Sequence, residues 1–332
     1  MSSRYSEVHA TAAGPGDSRP TAADVVKDEG MTGKLVGKVF LITGCSAGIG
    51  IETARALLAT GADLYLTARD TQKGQKVVQD ILASCSDRHG KVELLHLELD
   101  SLQSVRDCAE TFLSKSKTLN VLINNAGVMA TPEGQTKDGF ETQFGVNHLG
   151  HFLLFKLLEQ TLLTSATPDF CSRVVSLSSS GHKSSPILFD DLDLKKSGYT
   201  PFKAYGQSKT ANIYLANEIE RRYGSQGLHA TSVMPGGIMT ELARHMDPAL
   251  VKNFMTPELK LSMKSPEQGA ATTVWAAIGK EWEGKGGKYL NDCSIARTPQ
   301  DGEVNLGYAP HAYDEEAAKR LWEVSMQLVG LQ

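Results

Sequence analysis

Tyr205-Gly206-Gln207-Ser208-Lys209 sets a phenol and an ammonium four positions apart, at the start of a segment of helical period that runs towards Ile219. Residues at this spacing share one helix face. A free tyrosine keeps its proton to a pKa of about 10, and a cation held beside it favours the phenolate, which brings proton exchange towards neutral pH. Alone, the pair is weak evidence, since Tyr and Lys meet at this spacing on many solvated helices. A second cluster carries different chemistry. Thr43-Gly44-Cys45-Ser46-Ala47-Gly48-Ile49-Gly50 directly follows the aliphatic run Val39-Phe40-Leu41-Ile42, and a helical segment with Glu52, Ala54 and Leu57 comes next. Glycines in such a turn let the backbone approach a pyrophosphate, and the helix N-terminus offers unpaired N–H groups and the positive end of its dipole. A dinucleotide is the natural ligand, with Gly44, Ser46, Ala47, Gly48, Ile49 and Gly50 as its contacts. The spacing is Gly-x-x-x-Gly-x-Gly, a departure from the commoner Gly-x-Gly-x-x-Gly.

About 20 positions past the glycines of a dinucleotide fold, an acidic residue at the end of the second strand holds the ribose hydroxyls of NAD. That place is Ala68-Arg69 here. A planar guanidinium suits a 2′-phosphate, so Arg69 favours NADP(H) over NAD. Asp70 follows directly and could reach the ribose instead, although its position also suits it to cap a helix starting near Gln72.

Those residues need a scaffold, and the chain supplies one. Short apolar runs alternate with segments of helical period: Val39 to Ile42, Glu52 to Ala59, Leu64 to Leu66, Gln72 to Ala83, Val92 to Leu97, Ser104 to Leu113, Val121 to Ile123, Phe144 to Leu163, and Val174 to Leu177. Parallel neighbours need crossovers long enough to hold a helix, so this alternation predicts a doubly wound α/β fold of the Rossmann type, a parallel sheet flanked by helices. No composition break separates a second domain, which puts one domain over 34–332. Residues 1–33 are rich in Ala, Gly, Ser and Asp, carry few large apolar residues, and read as a mobile tail, with Thr21-x-x-Asp24 as a capping box for a short helix.

The 332 residues are 41% hydrophobic and 22% charged, enough for a full core. With 34 Lys and Arg against 38 Asp and Glu, the formal charge is -4 and no basic block appears, which speaks against nucleic acid as a partner. No uncharged run reaches the ~18 residues of a spanning helix. The five cysteines, Cys45, Cys85, Cys108, Cys171 and Cys293, are scattered without metal-ligand spacing and read as reduced thiols. With no apolar leader and no Asn-x-Ser/Thr sequon, a cytoplasmic setting is expected. His148 and His151 lie three apart on a helix, but no carboxylate or thiol completes a metal site. His182 is either a pocket-shaping residue or an exposed loop histidine.

Taken in order, the turn at Thr43–Gly50, Asn124-Asn125-Ala126-Gly127, Ser178-Ser179, Tyr205-x-x-x-Lys209 and Pro235-Gly236 resemble the short-chain dehydrogenase/reductase family over about residues 36–330. Phe144-Gly145-Val146-Asn147-His148-Leu149-Gly150-His151-Phe152 looks like the branch of retinol dehydrogenase-like and WW-domain oxidoreductase-like enzymes. The resemblance implies that Tyr205 is the general acid/base, that Ser179 hydrogen-bonds the reacting oxygen, and that Lys209 binds the nicotinamide ribose and lowers the Tyr205 pKa. It implies that Asn147 holds a water relaying protons from Lys209. Asn125, Ala126 and Gly127 would line the adenosine side, and Glu98 with Leu99 the adenine, Glu98 standing where the branch usually has Asp. Pro235, Gly236 and Ile238 would flank the nicotinamide, with Thr240 near its amide or the pyrophosphate.

The same resemblance makes residues 238–265 the substrate lid. Met239, Met246, Met255 and Met263 with Leu242, Leu250 and Phe254 suit either an adaptable apolar site or plain lid packing. Met234 stands before Pro235 where the branch usually has His. An insert through Phe189-Asp190-Asp191-Leu192-Asp193-Leu194 would border the substrate entrance. The resemblance implies an NADP(H)-dependent oxidoreductase acting on an apolar carbonyl or alcohol, with retinoids, steroids, lipid aldehydes and polyketide-type ketones all open and specialised metabolism as a setting. It also implies a homodimer through the helices of Asn147–Leu163 and Tyr205–Arg222. A lyase, dehydratase or isomerase on the same scaffold, and a non-enzymatic NADP-binding regulator, are the alternatives.

Overall fold

The aliphatic runs form strands because each side chain finds cover on one of two faces. In the computed structural model, which describes residues 4–85, 90–247, 255–298 and 307–331, β1 (Val39–Ile42) is buried throughout. Phe40 and Ile42 point into one core while Val39 and Leu41 point into the other, the two-residue period of a strand covered on both sides. The sheet continues with β2 (Asp63–Ala68), β3 (Val92–His96), β4 (Val121–Asn124), β5 (Ser172–Leu177), β6 (Leu228–Met234), β7 (Lys288–Asn291) and β8 (Ser294–Ile295). Its order is β3-β2-β1-β4-β5-β6-β7-β8, parallel except for the antiparallel β7–β8 pair. The order reverses between β1 and β4, the crevice where such sheets bind ligands at the carboxyl ends of their strands. The structure is thus the single-domain doubly wound fold expected, extended beyond the predicted series by β6, β7 and β8.

One face carries α2 (Ala22–Asp28), α3 (Ile49–Leu58), α4 (Thr71–Ser84) and α10 (Pro266–Ile278), the last preceded by the short α9 (Pro257–Ser262). The other carries α5 (Leu102–Lys115), α7 (Gly150–Ser165), α8 (Pro201–Tyr223) and α11 (Glu315–Leu328). A one-turn α6 (Thr142–Phe144) leads into α7 through a π-helical turn at Gly145–Leu149. A short α1 (Ser6–Ala10) opens the described chain.

One expectation changes. Residues 1–33 are not a mobile tail where the structure describes them. Thr21 and Asp24 do form the capping box of α2, but Val25 and Val26 are buried against α10, Tyr5 joins the same core, and Arg19 is 4% exposed. Composition hid this because the segment's few apolar residues nearly all point inward. One face of α7 and α8 is covered by α11. Trp322 meets Phe152 at 5.1 Å and Phe155 at 6.0 Å, both edge-on, and Arg222 stacks on it at 4.5 Å.

Candidate active site

The turn after β1 is built to accept a close ligand. Gly44 and Gly48 have φ of 73° and 64°, a region that favours glycine, and a Cβ on Gly44 would stand 2.8 Å from Ala126. A Cβ on Gly50 would stand 2.4 Å from the Gly44 carbonyl oxygen. Gly48 is the N-cap of α3 and supplies no side-chain cap, so the first N–H groups of that helix face the turn. Thr240 sits 3.3 Å from where a Gly48 Cβ would be, which places it over the turn.

Thr43 ties this turn to the next loop. Its Oγ1 accepts from the Asn125 and Ala126 N–H groups, each at 2.9 Å, and lies 2.9 Å from His151 Nε2. The Asn125 amide donates back to the Thr43 and Gly44 carbonyls at 2.7 and 3.2 Å, while its buried Oδ1 has no protein partner. His151 Nδ1 donates to the Asn147 carbonyl at 3.0 Å, so its Nε2 is the unprotonated nitrogen and accepts from Thr43. Burial pushes the His151 pKa down to about 4, which keeps that tautomer neutral.

Ser179, Tyr205, Lys209 and Asn147 converge at the carboxyl end of β5. Tyr205 and Lys209 lie in the first half of α8, whose N-terminus is capped by Thr200 with Pro201 as its first residue. Tyr205 is 5% exposed, its ring packs on Gly181, and its hydroxyl is hydrogen-bonded to Ser179. Burial pushes the Tyr205 pKa up to about 12, with the Ser179 contact pulling it down. Lys209 is buried too, and burial pushes its pKa down to about 8. Its Nζ donates to the Leu177 carbonyl at 3.1 Å and lies 5.5 Å from the Tyr205 ring centroid. The Tyr205 shift is set by burial, with the Ser179 contact opposing it, while the Lys209 ammonium sits over the ring and is bonded to a carbonyl.

Asn147 occupies the π-helical turn, an irregularity common at functional sites. Its amide donates to the Val128 carbonyl and to Ser208 Oγ, both at 2.9 Å, and accepts from the Val128 N–H at 2.8 Å. One amide proton thus fixes the loop after β4 and the other is bound to α8. A Cβ on Gly127 would meet Asn147 Oδ1 at 3.1 Å and Lys209 Nζ at 3.5 Å, so these three positions converge.

At the opposite end of the crevice, Asp70 caps α4, accepting from the Lys73 N–H at 2.9 Å, and Arg69 stands exposed beside it. Glu98 pairs with Lys137, which holds its carboxyl below the usual carboxylate range, and Arg69 contributes to the same shift. Leu99 is buried, its carbonyl packed against Gly150. Lys137 is a cation of this cluster that sequence reasoning missed; only the fold brings it to the ends of β2 and β3.

Beyond β6, Gly236 has φ of 112° and a Cβ there would meet the Lys264 side chain at 2.8 Å. Lys264 is 4% exposed and donates to the Pro235 carbonyl at 3.3 Å and to Asp292 at 2.6 Å. Ile238 bridges to Lys264 and packs against Gly269. Lys264 and Asp292 brace the loop and were not foreseen, since no local pattern marks a buried pair this distant in sequence. Of the lid, Met239 is 56% exposed and Met263 7%, while Leu250 and Phe254 lie outside the described residues. The insert is anchored by Gln207, which accepts from the Leu188 N–H at 2.9 Å and donates to the Leu192 carbonyl at 3.0 Å.

His182 is fully buried. Its Nδ1 donates to the Ser179 carbonyl at 2.6 Å and its Nε2 accepts from the Ala309 N–H at 3.0 Å, tying the Ser179 turn to the C-terminal segment. Among the described residues no group of three His, Cys, Asp or Glu side chains could hold a metal, no helix is long and apolar enough to cross a membrane, and all five cysteines are free.

The uncapped α3 terminus, the glycine-lined crevice at the strand reversal and the unpartnered Asn125 Oδ1 together fit a dinucleotide. Fold and site thus define the class of dinucleotide-binding α/β oxidoreductases. Residues 38–189 match the family model for short chain dehydrogenase. The chain is 54% identical over 330 residues to the short-chain dehydrogenase/reductase prx1 of Penicillium roqueforti, covering 99% of this chain and 95% of that protein. It is 40% identical over 300 residues to retinol dehydrogenase 12 of Mus musculus, covering 90% and 88%. Among solved structures, an uncharacterised protein from Mycobacterium paratuberculosis superposes with a TM-score of 0.69 at 31% identity, over 94% of this chain and 98% of that one. The chain belongs to the short-chain dehydrogenase/reductase family.

Proposed function

We propose that the chain is an NADP(H)-dependent oxidoreductase that interconverts a carbonyl and an alcohol on an apolar small molecule. The observation that carries this reading is the convergence of half-buried Ser179 with buried Tyr205 and Lys209 at the carboxyl end of β5. Bound in the crevice, the nicotinamide cofactor supplies or accepts the hydride. Burial keeps Tyr205 protonated at neutral pH, the form that donates to a carbonyl oxygen as negative charge builds there. Ser179 Oγ accepts from the Gly181 N–H at 3.0 Å, which leaves its own proton for the same oxygen. Lys209, with a pKa of about 8, holds a proton near neutrality and restores the one that Tyr205 gives up. Asn147 keeps the loop at Gly127–Val128 and Lys209 in register. Exposed Arg69, with Lys137 nearby, supplies positive charge where a 2′-phosphate would lie, which supports NADP(H).

The test is turnover of apolar aldehydes and ketones by the purified chain, followed by oxidation of NADPH and of NADH in parallel, with Arg69→Ala alongside. Faster turnover with NADPH, and a preference lost in Arg69→Ala, supports the reading. Cofactor binding without turnover of any compound would favour the lyase or regulator alternatives, and a preference for NADH would remove the Arg69 argument.

A further inference from the structure

His182 joins separate parts of the molecule, and one of them carries Ser179. The chain leaves β5 through Ser179 into a 3-10 turn at Ser180–Ser184. The Ser179 carbonyl accepts twice from His182, from its backbone N–H at 3.1 Å and from Nδ1 at 2.6 Å. Since a carbonyl only accepts, the ring proton sits on Nδ1, and the bare Nε2 accepts from the Ala309 N–H at 3.0 Å. Each bond thus requires the tautomer that the other selects. Burial pushes the His182 pKa down to about 4, so the ring is neutral near neutrality.

The same turn presses on Tyr205. A Cβ on Gly181 would stand 2.8 Å from the Tyr205 ring, and one on Gly206 would stand 2.8 Å from the Gly181 carbonyl oxygen and 3.0 Å from the Ser185 nitrogen. The turn therefore touches α8 at Tyr205 and Gly206, where two absent side chains allow it. The C-terminal segment fixes it further. His311 Nε2 donates to the His182 carbonyl at 3.0 Å, and Thr210, the residue after Lys209, donates to the Ser185 carbonyl at 2.7 Å. The segment is itself anchored on α8 and β7. Tyr214 donates its hydroxyl to the His311 carbonyl at 2.7 Å, Asn217 donates to the Ala312 carbonyl at 3.1 Å, and the Tyr313 hydroxyl accepts from the Tyr289 N–H at 2.9 Å.

We propose that His182 is a positioning residue of the reaction, fixing the Ser179 hydroxyl relative to Tyr205, and that residues 309–313 of the C-terminal segment are the anchor against which it does so. The proposal rests on the carbonyl–alcohol reading above. The ring reaches Ser179 through its backbone, so its effect falls on the geometry of proton delivery and spares cofactor affinity. Misplacing a reacting group by about 1 Å can cost about 100-fold in rate, so loss of the Nδ1 bond should lower kcat by about 10- to 100-fold. An asparagine amide nitrogen stands where Nδ1 stands, and a glutamine amide oxygen where Nε2 stands, so the two ties can be cut one at a time.

The experiment measures kcat and KM for decanal, the NADPH dissociation constant and the melting temperature of the full chain as wild type, His182→Asn, His182→Gln and His311→Leu. His182→Asn keeps the donor to Ser179, whereas His182→Gln keeps the acceptor for Ala309 and loses that donor. The kcat of His182→Gln is expected to fall about 10- to 100-fold and that of His182→Asn about fivefold less, with KM and the NADPH dissociation constant within about twofold of wild type. His311 is half-buried, so His311→Leu spares the core, and it should lower kcat in the same selective way. Equal kcat in His182→Asn and His182→Gln, a wild-type kcat in His311→Leu, or an NADPH affinity that falls as far as kcat would overturn the proposal. Crystal structures of the same proteins read the hydrogen bond between Ser179 and Tyr205 without turnover. It is expected in wild type and His182→Asn and lost in His182→Gln, and its presence in every form would overturn the proposal. Loss of the bond in His182→Gln alone, in a protein whose wild type reduces no carbonyl, would sink the redox reading and leave the positioning role standing.

Discussion

Replacing Thr43 by valine keeps the side chain's shape and removes one oxygen on which the crevice depends. Thr43 and His151 are fully buried, while Asn125 and Ala126 are half-buried. The Asn125 N–H retains a second acceptor, the Ile123 carbonyl at 3.0 Å, but the Ala126 N–H and His151 Nε2 have no other partner. A buried polar group left unsatisfied costs about 1–3 kcal/mol, so the stranded His151 Nε2 sets a loss of about 1–3 kcal/mol for Thr43→Val. Thr43→Ser keeps the oxygen and removes one methyl group, at about 1 kcal/mol. Urea unfolding followed by the fluorescence of Trp275, Trp282 and Trp322 measures both, and cofactor titration of the folded variants reports the turn itself. Ala126 lies against Gly44, so its release in Thr43→Val should also weaken cofactor binding. Valine and serine variants of equal stability would refute the reasoning, because packing alone would then explain the site.

Three further outcomes follow from the same structure. Burial pushes the pKa of His148 down to about 3 and those of His151 and His182 to about 4, from 6.5 in the unfolded chain. Their contribution to stability is present above pH 6.5 and lost as pH falls towards 4, at about 1.4 kcal/mol per pH unit for each proton taken up on unfolding; urea midpoints across that range check it, and a flat profile would contradict it. Trp322→Ala opens a cavity between α7, α8 and α11 and should cost about 3–5 kcal/mol, read in the same urea assay. Arg69→Ala should raise the dissociation constant for NADPH at least tenfold with little change for NADH, measured by fluorescence titration; equal losses for both would contradict the role given to Arg69.

The parts of the fold that could be read in the sequence are those where one physical signal dominates. Val39–Ile42 and Val121–Asn124 are short aliphatic runs buried on both faces, and a run of that kind has few other uses. β6 escaped because His229, Thr231 and Ser232 interrupt it, polar residues that the fold nevertheless buries. The N-terminal segment escaped because a few inward-facing residues, Tyr5, Val25 and Val26, do its packing, and one buried arginine fastens it. At the site, helical spacing puts Tyr205 and Lys209 on one face, and it was the order of the surrounding motifs that singled the pair out. Thr43 with His151, Lys264 with Asp292, and Lys137 with Glu98 were not, since each pair joins distant parts of the chain and no local period marks it. Spacing reports proximity and says nothing of desolvation, which governs the pKa of both Tyr205 and Lys209.

The most direct test of the central claim is Tyr205→Phe, measured for NADPH affinity and for carbonyl reduction on the same preparation. The ring packs on Gly181 without the hydroxyl, so the variant should fold and bind NADPH within about twofold of wild type while turnover falls by about 10²–10⁴. Turnover retained at the wild-type rate would contradict the account, since the proton would then come from another group.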